Sequence, residues 1–369
     1  MTNNYLPTFE TLPIAAFSSV FSDTTNSYKL YWMYAIVDIL KNEGIESEIE
    51  PKDIATRMIA LAWYPVAVFR LSLGKQDQIA KTVKEISSQM KVEDDAKPIE
   101  IHQKIKDLCK NDARIDKLIT DFLRYVPFRF LTPFFSETLK GRIDVEKNGI
   151  IEELSELSFN SIQPSIYKIK KKGQIHFHPI WLDYFKRHLG IIESYNLWHL
   201  VRYLESRNPN VQGISSKILP PQKRDLSTAK QFWNIVLQNQ TIECIYSSEI
   251  FDVESTVSID HFVPWSFVAH DYLWNLSPTT KSINSSKSDN LPKLDLYLSK
   301  FTKIQFEAFN IVLTAKKPKL LEDYVLLFQD STAAIANLSE NDFRTKLEKH
   351  IIPLSEIASN IGFKANWIL

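Results

Sequence analysis

Glycine is scarce in this chain, with 8 residues in 369, where ordinary usage would give roughly 25. No G-x-G and no G-x-x-x-x-G-K-[ST] occurs, which excludes the glycine-rich phosphate cradles of Rossmann dinucleotide sites and P-loop NTPases. Cysteine is scarcer still. Cys109 and Cys244 stand alone and far apart, so they make neither a disulfide framework nor a four-cysteine zinc site. Surplus charge is missing as well: 44 basic residues balance 44 acidic ones. That excludes polybasic wrapping of nucleic acid and leaves only local contact. Long apolar runs are lacking. The richest, residues 58–69, is broken by Pro65 and flanked by Arg57 and Arg70, and it falls short of the roughly 20 residues that cross a bilayer. A buried helix kinked at the proline is expected there. The opening residues have no basic segment leading into an apolar one, so no signal peptide is expected. These absences point to a reduced, soluble, cytoplasmic protein with no membrane partner.

What remains is a chain with ample core-forming material, 44% hydrophobic and 12% aromatic, long enough for two or three domains. Helical spacing dominates. Residues 10–40 read as helix through Phe17, Val20 and Phe21, then Leu30, Tyr31, Tyr34, Ile36, Val37 and Leu40. Pro51 opens the next helix, ending near Gly74. Residues 76–123 are amphipathic and charged, with a polar break at 92–98. Residues 125–135, with five aromatics and two prolines, read as a packed corner. A strand pair interrupts at 166–178, turning at Lys171-Lys172-Gly173. His176 and His178 share one face of the return strand, but no third ligand is visible nearby, so the reading is exposed strand histidines rather than a metal site. Residues 179–204 return to helix. Residues 206–224 are rich in proline, glycine and serine and carry Arg207, Lys217, Lys223 and Arg224 without an acid. They read as a linker, or alternatively as a basic strap for phosphates. A helix follows at 226–237.

The chemistry concentrates in residues 241–292. Residues 256–260 form a short β-branched strand ending in the neighbours Asp260 and His261. Residues 262–273 form a loop, residues 274–276 a brief return strand, and Pro278 or Thr279 opens a helix. From Thr279 to Asp289 that helix has one strongly apolar residue, Ile283, so it persists only if its polar side chains are used. Lys281, Asn284, Lys287 and Ser288 recur at helical spacing on one face. If that face meets the hairpin end, Asn284 approaches Asp260 and His261. A carboxylate and an amide oxygen suit a hard cation such as Mg²⁺ or Mn²⁺, and an imidazole beside it suits deprotonation of water. Strand neighbours point to opposite faces, so Asp260 and His261 share a site only where the strand ends and the chain curls, which Pro264 permits. His270-Asp271 is a rival base. Trp265 and Trp274 are expected to anchor the loop in the core rather than stack on bases.

The run Asp260-His261-x-x-Pro264-x-Ser266-Phe267, then Asn275, then Asn284-x-x-Lys287-Ser288-Asp289-Asn290-x-Pro292 resembles the HNH, or ββα-metal, endonuclease motif. It is especially similar to the asparagine-ended variant found in RNA-guided CRISPR effector nucleases. The resemblance implies that His261 is the general base, that Asp260 and Asn284 hold one divalent ion, that Asn275 orients the His261 region, and that Lys287 lies near the phosphate. The implied products are a 5′ phosphate and a 3′ hydroxyl. Many members pin the hairpin with two zinc-binding C-x-x-C pairs. Here only Cys244 remains, so structural zinc is not expected. Nothing in the chain matches the guide-binding or second nuclease parts of a CRISPR effector.

The expected architecture is mostly α: a helical targeting or sensing domain with a small hairpin at 1–205, a basic linker at 206–224, an HNH module at 225–300 and C-terminal helices at 301–369. A capping-box-like Ser339-to-Asp342 start opens the last long helix, and these helices pack on the nuclease core or form a dimer face. The expected activity is metal-dependent hydrolysis of DNA, with residues 1–205 engaging an activating or targeting protein. By analogy alone, the pairing suggests defence against phage or plasmid DNA. The rivals are a silent HNH module used for nucleic-acid binding or assembly, and an RNase on the same fold.

Overall fold

The computed structural model describes residues 6–22, 24–93, 95–170, 173–220 and 225–369. Lys171 and Lys172 of the expected turn, and Lys223 and Arg224 of the expected basic strap, lie outside the described residues. The chain divides into two compact units, Met1–Pro209 with Ile214–Pro221, and Asn210–Gly213 with Gln222–Leu369. Among the described residues no helix is long and apolar enough to cross a membrane.

The first unit is built around α1 (Tyr28–Asn42), whose Tyr31, Trp32, Met33 and Ile36 are sealed from solvent. Against it pack α2 (Pro51–Leu61) and α5 (Leu189–Arg207), with α3 (Pro98–Asn111) and α4 (Ala113–Leu123) beyond α2. The single helix expected over residues 10–40 is two, Ile14–Ser19 and α1. The chain breaks where Ser27 gives its N–H and hydroxyl to Asp77, at 3.1 and 2.6 Å. Asp77 also caps the helix Gln78–Ser87, so a distant carboxylate decides the break. The kink at Pro65 is a π-turn over Tyr64–Val68, the irregularity expected where an N–H is missing from the ladder. Arg57 is fully buried and is paired by Asp38 at 2.6 Å and by Glu43, as a buried charge requires.

The strand pair β2 (Tyr167–Ile169) and β3 (Ile175–Phe177) gains an edge strand, β1 (Glu48–Ile49), in the order β1-β3-β2. Glu48 stands opposite His176, and its carboxylate lies 2.9 Å from His176 Nδ1. His178 instead caps the helix Pro179–Arg187 by accepting from Ile180 N–H, so the two histidines serve separate local tasks. The expected linker is also more ordered than its composition suggests. Lys217 ends a short helix at 1% exposure, and burial pulls its pKa down to about 8. A sealed ammonium cannot belong to a phosphate-facing strap, which corrects that expectation at this residue.

The second unit has one continuous core. It runs from α6 (Ser227–Asn239) through the hairpins described below to α8 (Leu294–Thr314), α9 (Glu322–Phe328) and α10 (Glu340–Asn360). Phe232, Phe262, Phe301, Phe309 and Phe343 are fully buried, each contributing about 1.5–3 kcal/mol from burial. The rings of Phe262 and Phe301 stack at 4.3 Å, joining the loop after His261 to α8. Ser339 caps α10 by accepting from Asp342 N–H at 3.1 Å and donating to its carboxylate.

Candidate nuclease site

Two short hairpins and one helix build the site. In the first, β4 (Ile242–Glu243) pairs antiparallel with β5 (Ile250–Phe251). Backbone bonds close its turn, from Cys244 N to Glu249 O at 2.7 Å and from Ser248 N to Cys244 O at 3.0 Å. Cys244, Ile245 and Tyr246 are buried, so apolar packing and backbone pairing hold this turn. In the second, β6 (Ser258–His261) pairs with β7 (Leu276–Thr279), and His261 stands opposite Leu276. The return strand starts later than expected. Trp274 and Asn275 belong to a 3₁₀ turn, Pro278 lies inside the strand, and Thr280 caps α7 (Lys281–Lys287). Proline is tolerated in β7 because this ladder has only two strands and one N–H edge is unused.

Strand alternation separates the two residues at the end of β6. Asp260 is 3% exposed. Its Oδ2 accepts from the Tyr246 hydroxyl at 2.8 Å and its Oδ1 from Lys287 Nζ at 3.1 Å. Burial, and then the Asp260 charge, push the Tyr246 pKa well above its usual value, so this phenol remains a donor. Lys287 is fully buried and also donates to the His261 carbonyl. The structure therefore places Lys287 beneath Asp260 and against the His261 backbone.

Asn284, one turn earlier on α7, lies alongside β6. Its Nδ2 donates to Ser258 Oγ at 2.8 Å and to Ile259 O at 3.3 Å. Among the described residues its Oδ1 accepts no hydrogen bond. The all-polar helix thus persists because Asn284 and Lys287 read β6 in succession, while Ile283 enters the core. Lys281 and Ser288 are exposed and take no part.

His261 turns the other way. Its Nε2 meets Asp271 Oδ1 at 2.8 Å, and its Nδ1 makes no hydrogen bond among the described residues. Asp271 is the residue that sequence reasoning passed over as half of a rival base. The His270 ring instead packs on Tyr272, with centroids 4.1 Å apart. The missed signal is the closure of the loop between them. Asn275 is fully buried and clasps Val263, accepting from its N–H at 2.9 Å and donating to its carbonyl at 2.8 Å. Leu273 N–H is held at 2.8 Å by Asp323 on α9. With both ends fixed, the loop returns Asp271 to His261. Asn275 itself bonds to Val263, two residues beyond His261. Trp274 is 4% exposed and packs inside.

The last residues complete the Tyr246 side. Leu291 N–H donates to Lys364 O, Lys293 N–H to Trp367 O, and Trp367 N–H to Leu291 O. The Trp367 ring meets Tyr246 edge-on at 5.2 Å, and Tyr297 meets it at 5.1 Å.

The donors that suit a hard divalent ion are the Asp260 carboxylate and the Asn284 amide oxygen. An ionised carboxylate has about four lone-pair positions, of which Tyr246 and Lys287 engage two. The residue types therefore fit such an ion, with waters and phosphate oxygens as its other ligands. No curated protein and no solved structure matches the chain. The family model of HNH endonucleases does match, over residues 241–293, the segment that carries both hairpins and α7. Residues 241–293 are therefore the part of the chain that is similar to HNH endonucleases.

Proposed function

We propose that the HNH domain hydrolyses DNA phosphodiester bonds with one divalent ion, Mg²⁺ or Mn²⁺, held by Asp260 and Asn284. The observation that carries the reading is the imidazole of His261, held at Nε2 by Asp271 with Nδ1 left to act. The Asp271 carboxylate favours the tautomer protonated at Nε2 and orients the ring, so Nδ1 is the base that takes a proton from water. Asn275 fixes the backbone just beyond His261 and keeps that ring from drifting. Lys287 and Tyr246 hold the Asp260 carboxylate in one rotamer. When bound, the ion supplies positive charge to the scissile phosphate and to the leaving 3′ oxygen. The products are a 5′ phosphate and a 3′ hydroxyl.

The first unit is proposed as the targeting or sensing part. A chain of zero net charge binds duplex weakly by itself, so access to substrate falls to that unit or to a partner protein. On this reading the protein acts in defence against phage or plasmid DNA. Phage plating on cells carrying wild type or His261→Ala tests that role, and equal plating on both counts against it.

One observation favours a second reading, a silent module used for binding or assembly. Asp260 is buried, and both of its oxygens already carry donors. Plasmid nicking with Mg²⁺ or Mn²⁺, alongside His261→Ala and Asn284→Ala, decides between the two. Cleavage abolished by EDTA and by both substitutions supports the one-metal site. Cleavage that survives both substitutions refutes it, and an RNA substrate cut in preference to DNA makes the domain an RNase.

A further inference from the structure

The loop between β6 and β7 carries more aromatic surface than its anchoring needs. His270, Tyr272 and Trp274 occupy alternate positions, and their rings gather in one cluster. The His270 ring lies 5.3 Å from Trp274 and 4.1 Å from Tyr272, tilted by 32° to the latter. Trp274 is 4% exposed and ends the cluster in the core, whereas Tyr272 is 42% exposed and ends it in solvent. The backbone at Tyr272 is extended, with φ −63° and ψ 134°, so neighbouring side chains leave the chain on opposite sides. Asp271 accordingly turns inward to His261 Nε2, at 2.8 Å, while the rings before and after it turn outward.

Three features make Tyr272 more than a stray surface aromatic. His270 lies against one side of its ring, and among the described residues no guanidinium or ammonium covers it and its hydroxyl makes no hydrogen bond. The ring is also ordered in advance. Tyr272 N–H reaches back to His270 Nδ1 at 3.4 Å, Asp323 holds the next N–H, that of Leu273, at 2.8 Å, and Asn275 clasps Val263. Little freedom is left to lose when something stacks on it. Positive charge accompanies the loop as well. Lys316, Lys317 and Lys319 are exposed in the turn just ahead of Asp323 and make no ion pair among the described residues.

We infer that Tyr272 stacks on a base of an unpaired strand beside the scissile phosphate, so that the site takes single-stranded or locally melted nucleic acid in preference to closed duplex. The inference rests on the nuclease reading in taking nucleic acid as the ligand. A tyrosine ring needs the face of a base, which a closed duplex hides in its own stack and an unpaired strand presents. The one-residue step from Tyr272 to Asp271 ties that contact to the imidazole that would act on water. Stacking tolerates any base, because every base has such a face.

The test is fluorescence anisotropy of the full chain in EDTA, which allows binding without cleavage. The probes are a labelled DNA strand, the same sequence as a closed duplex, and a strand of abasic residues with the same number of phosphates. Wild type should bind the strand more tightly than the duplex or the abasic strand. Tyr272→Ala should weaken strand binding about tenfold, the equivalent of about 1.4 kcal/mol, and leave the abasic strand and the duplex unaffected. Tyr272→Phe keeps the ring and should bind as wild type. Leu326→Ala, at an exposed position of α9, should change nothing. With Mg²⁺ or Mn²⁺ added, Tyr272→Ala should raise KM for the strand and leave kcat little altered. Equal binding of strand and duplex by wild type overturns the inference, as does strand binding unchanged in Tyr272→Ala or equally weakened in Tyr272→Phe. The two readings fail separately. Strand binding through Tyr272 without cleavage in either ion removes hydrolysis alone, and cleavage indifferent to Tyr272→Ala removes the stacking alone.

Discussion

Replacing Lys287 by methionine probes the interior of the site directly. The substitution keeps most of the side-chain volume and removes the charge. Lys287 and Asp260 are 0% and 3% exposed and lie 3.1 Å apart, so water cannot take over when one is removed. Breaking a buried pair from one side typically costs about 3–5 kcal/mol, because a charge is left desolvated and unmatched. Tyr246 still donates to Asp260, which holds the expected loss near the lower end, about 3 kcal/mol. The double variant Asp260→Leu with Lys287→Met should recover most of that loss, since apolar substitutes for a buried pair are often neutral. Urea titration followed by hydrogen exchange in peptides from residues 229–363 reads the affected unit separately from the other. A loss below about 1 kcal/mol in the single variant would falsify the claim that this pair is desolvated. A double variant as unstable as the sum of the singles would equally refute it.

Asp271→Ala should lower kcat about a hundredfold or more with KM little changed, the range of a displaced general base. Asp271→Asn, which still accepts from Nε2, should recover part of it; equal loss in both variants would mean that orientation is not what Asp271 supplies. Asn275→Ala leaves Val263 N–H and C=O unpaired in the core and should destabilise the second unit by about 2–4 kcal/mol, with amide exchange rising first in residues 262–275. Exchange unchanged there would refute the clasp. In acid the first unit should weaken. Burial, and then Arg57, push the His102 pKa down to about 4, and burial, and then Arg202, do the same for His199. Both stay neutral in the fold and take up protons on unfolding from about pH 6.5 downward. The stability present above that pH is therefore lost as the pH falls from about 6.5 to 4, at about 1.4 kcal/mol per unit for His102 and less for the more exposed His199. An unfolding midpoint flat across that window would contradict the assignment.

Local patterns in the sequence carried the helices of the second unit, the close of β6 at Asp260 and His261 and the polar character of α7, because each depends on residues close along the chain. Long-range hydrogen bonds decided what was misread. The break before α1 rests on Asp77, about fifty positions from Ser27. Strand β1 is only two residues long, too short to show alternation, and is revealed by its pairing with β3. The candidate site divides in the same way. Asp260, His261 and Asn284 were legible from order and helical spacing. The partner of His261 was not, because Asp271 returns only through a loop whose ends are tied by Asn275 and by Asp323 of a later helix. The spacing that put Lys287 on the face of Asn284 was correct about the face. Burial then pairs it with Asp260.

The packing of Trp367 and Tyr297 on Tyr246 bears on when the site is finished during synthesis. A ribosome releases Asp260, His261 and Asn284 well before residues 294–367, which supply α8, Asp323 and the tryptophan that covers the phenol. Until those arrive, Tyr246 lacks its aromatic neighbours and Leu273 lacks its acceptor. The order of translation therefore imposes a delay, and the candidate site of a nascent chain matures only after its C-terminal helices have folded back.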